Sequence, residues 1–152
     1  MNRHSELRPT SQWLRAAEPR QDAGTLDVVV PFTSLEVTDQ VVKRAAGFAS
    51  GLNASLKLVA VYVAPYPAEL RCPTAMQEHL TKRLSQLAGQ STVPVTIELV
   101  VARSSEEGYR RALPQPSTVL LGARKRWWPT REERLAKALT RAGHRVSLLH
   151  FD

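Results

Sequence analysis

The feature that most constrains this fold is an alternation of short apolar runs with segments whose apolar residues recur at helical spacing. The five runs have strand length and are rich in valine and leucine; they span 26–32, 54–63, 93–102, 117–123 and 144–151. Strands that alternate with helices form a parallel sheet with helices on both faces, joined by right-handed crossovers. The sequence therefore predicts a three-layer α/β/α sandwich of Rossmann-like type with a five-stranded parallel sheet.

Turn and capping residues place the helices between these runs. Ser34 or Thr38 is suited to cap the first helix, and Pro73 suits the first turn of the second. The last helix is predicted to open at Pro129 and to end at Gly143. Its inward face is predicted from four apolar residues at helical spacing, namely Leu135, Ala138, Leu139 and Ala142.

The chain divides into a polar N-terminal segment and one domain. Residues 1–25 lack a sustained period and contain Pro9, Pro19 and Gly24, which predicts a flexible tail before a domain at 26–152. The single cysteine, Cys72, excludes a disulfide framework and fits a reducing, cytoplasmic compartment. We read no secretory signal at the N-terminus, and no run approaches the roughly 20 apolar residues of a membrane span, so membrane insertion is not expected.

Positive charge is concentrated near the C-terminus. The chain has 21 Lys plus Arg and 14 Asp plus Glu, a net charge of +7. Residues 122–145 hold eight of the basic residues and two of the acidic ones, so six of the seven excess charges lie there. A clustered positive field favours an anionic partner, and a solvated helix face is the alternative interpretation.

Two local phrases resemble one known family. Val30-Pro31-Phe32-Thr33-Ser34-Leu35-Glu36 lies at the end of the first strand, and Leu120-Leu121-Gly122-Ala123-Arg124-Lys125-Arg126 lies at the end of the fourth. In this order of elements they resemble the universal stress protein (UspA-like) family over about residues 26–151. The resemblance implies the same Rossmann-like fold and an adenine-nucleotide pocket, so ATP or a related nucleotide is the cofactor to test.

The same resemblance implies a degenerate nucleotide motif. Nucleotide-binding members use G-x2-G-x9-G-[ST], and Gly122 matches its first glycine. Lys125 takes the second glycine position, and Leu135-Ala136 takes the final pair. Thr33 takes the position of the acidic residue near the adenine.

The loop after the fourth strand is the candidate anion-binding site. In an open parallel sheet, ligands bind outside the carboxyl ends of the strands, where the strand order reverses. Arg124, Lys125 and Arg126 lie there, just before a helix N-terminus that attracts anions. With Gly122 and Thr33, they form the predicted pocket for a nucleotide or another phosphate compound, and a solvated loop is the alternative.

A second anionic partner, nucleic acid, ranks below the small ligand. Trp127 and Trp128 stand among basic residues, and Arg134, Lys137 and Arg141 share one helix face. Stacking aromatic residues beside a basic stripe suit single-stranded nucleic acid. However, no recognisable nucleic-acid-binding motif is present, and the alternative is that one tryptophan packs under the loop or fills a dimer contact.

No group of residues predicts catalysis. Ser104-Ser105-Glu106-Glu107 is typical of a helix cap and capping box rather than a nucleophile. Cys72 precedes Pro73 at a helix start, where its thiol pKa would be lowered. No two histidines have metal-ligand spacing, so we expect neither an enzyme nor a metal site.

The apolar terminal strand, 144–151, predicts self-association, and the alternative is a monomer whose edge strand is covered by the N-terminal tail. An unpaired edge strand is a liability that a dimer removes, and in the family it resembles, the last strand commonly pairs across a dimer axis. The sequence thus favours a non-catalytic, stress-associated or regulatory domain that works through protein contacts. The expected partners are a second copy and an unidentified protein.

Overall fold

The structure is a computed structural model that describes residues 27–152. The flexible tail predicted for residues 1–25 lies outside the described residues. Strands and helices alternate along the whole described range. They are β1 (Asp27–Pro31), α1 (Leu35–Leu52), β2 (Ser55–Val63), α2 (Thr74–Gly89), β3 (Val95–Ala102), α3 (Ser105–Ala112), β4 (Thr118–Arg124), α4 (Arg131–Arg141) and β5 (Arg145–Phe151).

The five strands form one parallel sheet in the order β3-β2-β1-β4-β5. The chain builds outward from β1 to β3, then crosses to the other side of β1 for β4 and β5. The strand order therefore reverses between β1 and β4. The predicted fold class, a five-stranded parallel α/β/α sandwich, is confirmed.

Both faces of the sheet are buried, which explains the continuous apolar runs. In β1, Val28 and Val30 pack beneath α1 and α2, whereas Val29 packs beneath α3 and α4. Because successive side chains of a strand point to opposite faces, one valine run supplies both cores. The helices then lie on both sides of the strand ends where the candidate site was predicted.

The predicted caps are confirmed with two adjustments. Ser34 caps α1, and its hydroxyl accepts from the Val37 backbone N–H at 3.3 Å. Pro73 is the N-cap of α2 rather than a residue of its first turn. The last helix begins at Arg131, two residues later than predicted, because Thr130 and Glu133 close a capping box.

The inward face of α4 is partly corrected. Leu135 and Leu139 are buried as predicted, but Ala136 is buried as well, whereas Ala138 and Ala142 are only half-buried. The face of α4 that packs on the sheet therefore includes Ala136.

Candidate functional site

A small polar cleft lies at the reversal of strand order, at the carboxyl ends of β1 and β4. Its volume is about 200 Å³, and it brings together four of the five predicted site residues, namely Thr33, Gly122, Arg124 and Arg126. The N-cap of α4, Thr130, and the first-turn residue Glu132 also line it. Lys125, the fifth predicted residue, does not line this cleft.

The basic side chains of this loop are held by carboxyl groups and carbonyls of the chain itself. Arg124 forms an ion pair with Glu36 of α1, and its Nη1 donates to the backbone carbonyl of Asp152 at 3.2 Å. Lys125 Nζ lies 3.2 Å from the Asp152 carboxylate. Only Arg126 of the three has no ion pair within residues 27–152. The free positive charge offered to a phosphate is therefore much smaller than the sequence indicates.

Gly122 lies where α1 packs closely against β4. A Cβ at this position would lie 2.5 Å from Val41 Cγ2 and 2.7 Å from Val37 Cγ1. The absent side chain is thus the space into which α1 packs against β4. At the final pair of the motif, Leu135 and Ala136 are both buried in the core beneath α4, so neither backbone lines the 200 Å³ cleft.

A larger cleft adjoins the first one, and sequence reasoning missed it. Its volume is about 520 Å³, and it shares Thr33 and Glu132 with the smaller cleft. Side chains from β2, α2, α3 and α4 line it, among them Tyr62 and Tyr109. Nothing in the sequence separates these tyrosines from ordinary core residues, because both occur at positions with regular strand or helix spacing.

Tyr109 is the unusual residue of this larger cleft. Its side chain is 3% exposed, and its hydroxyl has no hydrogen-bond partner among the residues described. Burial raises the pKa of the Tyr109 phenol well above its ordinary value. A buried hydroxyl without a partner costs free energy, and a ligand in the cleft could supply the missing acceptor.

The remaining catalytic candidates have structural roles or differ from prediction. Ser104 caps α3 by accepting from the Glu107 backbone N–H at 3.1 Å, as predicted. The Glu107 carboxylate reaches back to the Arg103 N–H at 2.9 Å, one residue before the position expected for a capping box. The prediction for Cys72 is wrong in direction, because burial raises the pKa of its thiol. Within residues 27–152, no cluster of three or more metal-ligating side chains occurs.

The two tryptophans after β4 are on the surface. The side chain of Trp127 is 98% exposed and that of Trp128 is 64% exposed. Within the described residues, neither packs under its loop, which removes that alternative. They precede Pro129, which lies at one end of a groove along α4.

Strand β5 forms an open edge of the sheet. The Arg145 N–H donates to Ser117 O at 2.9 Å, and Phe151 O accepts from Lys125 N–H, also at 2.9 Å. Because backbone groups alternate in direction along a strand, those of Val146, Leu148 and His150 point away from β4. Among the described residues, no other strand pairs with this edge.

Within the described range, no helix combines the length and the apolar character needed to cross a bilayer. No protein-family model matches the sequence, and a comparison with curated proteins finds no significant match.

Solved structures provide the informative comparisons. A universal stress protein from Archaeoglobus fulgidus superposes with a TM-score of 0.61 at 13% identity, covering 84% of this chain and 93% of that one. A universal stress protein family member from Burkholderia pseudomallei gives 0.58 at 17% identity, covering 86% and 98%. A universal stress protein in complex with cAMP gives 0.52 at 16% identity, covering 84% and 98%. The chain thus has the fold of the universal stress proteins.

Proposed function

We propose that the chain is a non-catalytic, stress-associated regulatory domain of the cytoplasm that acts through protein contacts, first of all as a homodimer. The open edge of β5 is the observation that supports this proposal. At three alternate positions of that edge, Val146, Leu148 and His150, the backbone N–H and C=O groups point outward and can pair with a second strand. The half-buried side chain of Phe151, which packs against the core beneath α1 and α2, would extend that core across the junction.

The experiment changes the edge without changing the inner pairing. Leu148→Pro removes a backbone N–H that points away from β4, and proline is tolerated at an edge strand. Leu148→Ala is the matched control, because it shortens the same side chain and keeps the N–H. Sedimentation velocity should show a dimer for the parent chain and for Leu148→Ala, and a folded monomer for Leu148→Pro. A parent chain that stays monomeric at high concentration would reject the dimer.

A second candidate function is the binding of a small adenine compound in the larger cleft. Tyr109, which lines this cleft of about 520 Å³ and whose hydroxyl has no hydrogen-bond partner among the described residues, specifically favours it. One structural neighbour is a universal stress protein in complex with cAMP, which supports the choice of ligand class. A phosphate group that extends into the adjoining smaller cleft would meet Arg126 rather than Arg124, since Glu36 already neutralises Arg124.

The test for the ligand is direct. Freshly purified protein is denatured, and the filtered supernatant is separated on an anion-exchange column with ultraviolet detection. Thermal melts with cAMP, AMP and ATP follow, on the parent chain and on Arg126→Ala and Lys82→Ala. A shift that Arg126→Ala lowers and the distant, exposed Lys82→Ala preserves would support this function. No nucleotide and no shift would remove it.

A further inference from the structure

A groove of about 530 Å³ runs between α4 and β5, and of its lining residues only Arg134 also lines the larger cleft of about 520 Å³. Three basic side chains, Arg134, Lys137 and Arg141, line it at spacings of three and four residues. They extend over about 10 Å of helix axis, at 1.5 Å per residue. A row of positive charges of this length along a groove is complementary to an anionic chain rather than to a single ion.

The charges of this row are not neutralised internally. Within residues 27–152, Arg134, Lys137 and Arg141 form no ion pair, and all three are exposed. The one carboxylate in the groove, Glu133, accepts from the Thr130 N–H at 2.9 Å and lies 3.1 Å from His150 Nε2. The field inside the groove is therefore positive along most of its length.

Besides its basic residues, the groove has an apolar floor, and two aromatic residues stand just before it in the sequence. Ala136, Val146 and Leu148 give the floor an apolar surface. Pro129, which also lines the groove, directly follows the two exposed residues Trp127 and Trp128 in the sequence. Exposed indole rings within two residues of a basic groove provide stacking surfaces for flat aromatic groups.

We propose that this groove binds single-stranded nucleic acid, with the phosphates along Arg134, Lys137 and Arg141 and bases stacked on Trp127 and Trp128. Charge alone would also attract an acidic peptide. The indole pair and the apolar floor favour a polyanion that carries flat bases, and single strands expose those bases whereas a duplex hides them. The groove lies on a face of the sheet, whereas strand pairing uses its edge, so this binding does not require the dimer.

Fluorescence anisotropy with labelled oligothymidylate and oligouridylate tests the proposal on the full chain. Three phosphate contacts predict that log affinity falls with log salt concentration at a slope of about −2, because each single-strand contact contributes about −0.7. Binding should also quench the indole fluorescence in a Trp13→Phe background, where only Trp127 and Trp128 report. No binding at low salt would overturn the proposal.

Two sets of variants separate the phosphate and base contacts. Arg134→Ala/Lys137→Ala/Arg141→Ala should reduce affinity at least tenfold and bring the slope close to zero. The matched control, Lys43→Ala/Lys82→Ala/Arg83→Ala, removes the same charge from the helices of the opposite face and should change affinity by less than about threefold. Equal losses in both triple variants would show a non-specific charge effect and overturn the site.

Trp127→Ala/Trp128→Ala should lower affinity about tenfold or more while leaving the salt slope unchanged. Polyglutamate serves as the acidic-peptide probe and should compete only weakly. Unchanged affinity in the tryptophan variant, or polyglutamate competition equal to that of unlabelled oligonucleotide, would replace the nucleic-acid proposal with an acidic polypeptide partner. Circular dichroism confirms that each variant is folded.

Discussion

Two basic stretches of the C-terminal segment carry three cations each but differ in what surrounds them. In the loop at 124–126, Arg124 and Lys125 are engaged by Glu36 and by the C-terminal residue Asp152. Along α4, Arg134, Lys137 and Arg141 have no ion pair among the described residues. The number of basic residues is therefore a poor guide to free charge. The loop that resembles a phosphate site is largely neutralised, whereas the helix face retains its field.

The cause of this difference is topological. The end of β4 lies beside the start of α1 and the end of β5, so carboxylates distant in sequence converge on the loop. Among residues 27–152, no carboxylate from another element forms an ion pair with Arg134, Lys137 or Arg141. Helical spacing then aligns its cations into one stripe.

The largest effect is expected at Gly122, whose place in the motif indicates phosphate binding and whose surroundings indicate packing. Gly122→Ala would place a Cβ within 2.7 Å of both Val37 and Val41. We expect the free energy of unfolding in urea to fall by about 2 kcal/mol, the cost of overpacking a core. Gly47→Ala is the control, since a Cβ there meets open space on an exposed helix and should raise stability slightly. A fully stable Gly122→Ala chain that loses nucleotide binding would restore the phosphate role.

Buried hydroxyl groups in the core also differ in whether they have a hydrogen-bond partner among the described residues. Tyr109→Phe removes a buried hydroxyl that has no partner within the described residues, so we expect the unfolding free energy to rise by about 1 kcal/mol. The same variant should weaken binding of any adenine compound in the larger cleft. Ser117→Ala is the opposite case, because the Ser117 hydroxyl donates to the carbonyl of Pro114, and its loss should destabilise the chain. A destabilised Tyr109→Phe chain would show that the hydroxyl is already satisfied.

The architecture could be predicted from sequence because it follows from local patterns. Val28, Val29 and Val30 form a run that only a doubly covered strand buries, and Ser34 is a cap by chemistry alone. Such signals need no knowledge of distant residues. The sheet and the helix order could therefore be predicted with boundaries correct to within two residues at most ends.

The site could be predicted only in part, because its properties depend on residues far apart in the chain. Arg124 is free or paired according to where Glu36 lies, 88 positions earlier, and no local pattern gives that. Tyr109 belongs to a cleft formed by four elements, so its missing hydrogen-bond partner is visible only in three dimensions. The exposure of Trp127 and Trp128 likewise depends on how the loop leaves β4.

A smaller effect should distinguish the two basic stretches by stability alone. Arg124→Ala breaks the ion pair with Glu36, whose side chains are 37% and 68% exposed, so we expect a loss of about 0.5 kcal/mol. Arg134→Ala breaks no ion pair among residues 27–152 and should change the unfolding free energy by less than that. A double-mutant cycle with Glu36→Gln measures the Arg124 coupling in urea, and added salt should weaken it. No coupling would mean that Arg124 is free for a ligand.

The smallest effect concerns Glu133, the one carboxylate within the basic groove. The Glu133 carboxylate accepts a hydrogen bond from the Thr130 N–H and contacts His150. These two interactions, the first being the stronger, hold the pKa of the Glu133 carboxyl below the ordinary value of 4.5. A lowered pKa in the folded state means that the ionised group stabilises the fold above the unfolded-state pKa. That stabilisation is lost as pH falls through the folded-state pKa. Glu133→Gln should therefore be less stable than the parent chain at neutral pH, and the difference should vanish in acid. Glu132→Gln is the matched control in the same urea series, because it removes a carboxylate from the same helical turn but outside the capping box. Equal pH profiles for the two variants would mean that the capping box does not hold Glu133 in its charged form.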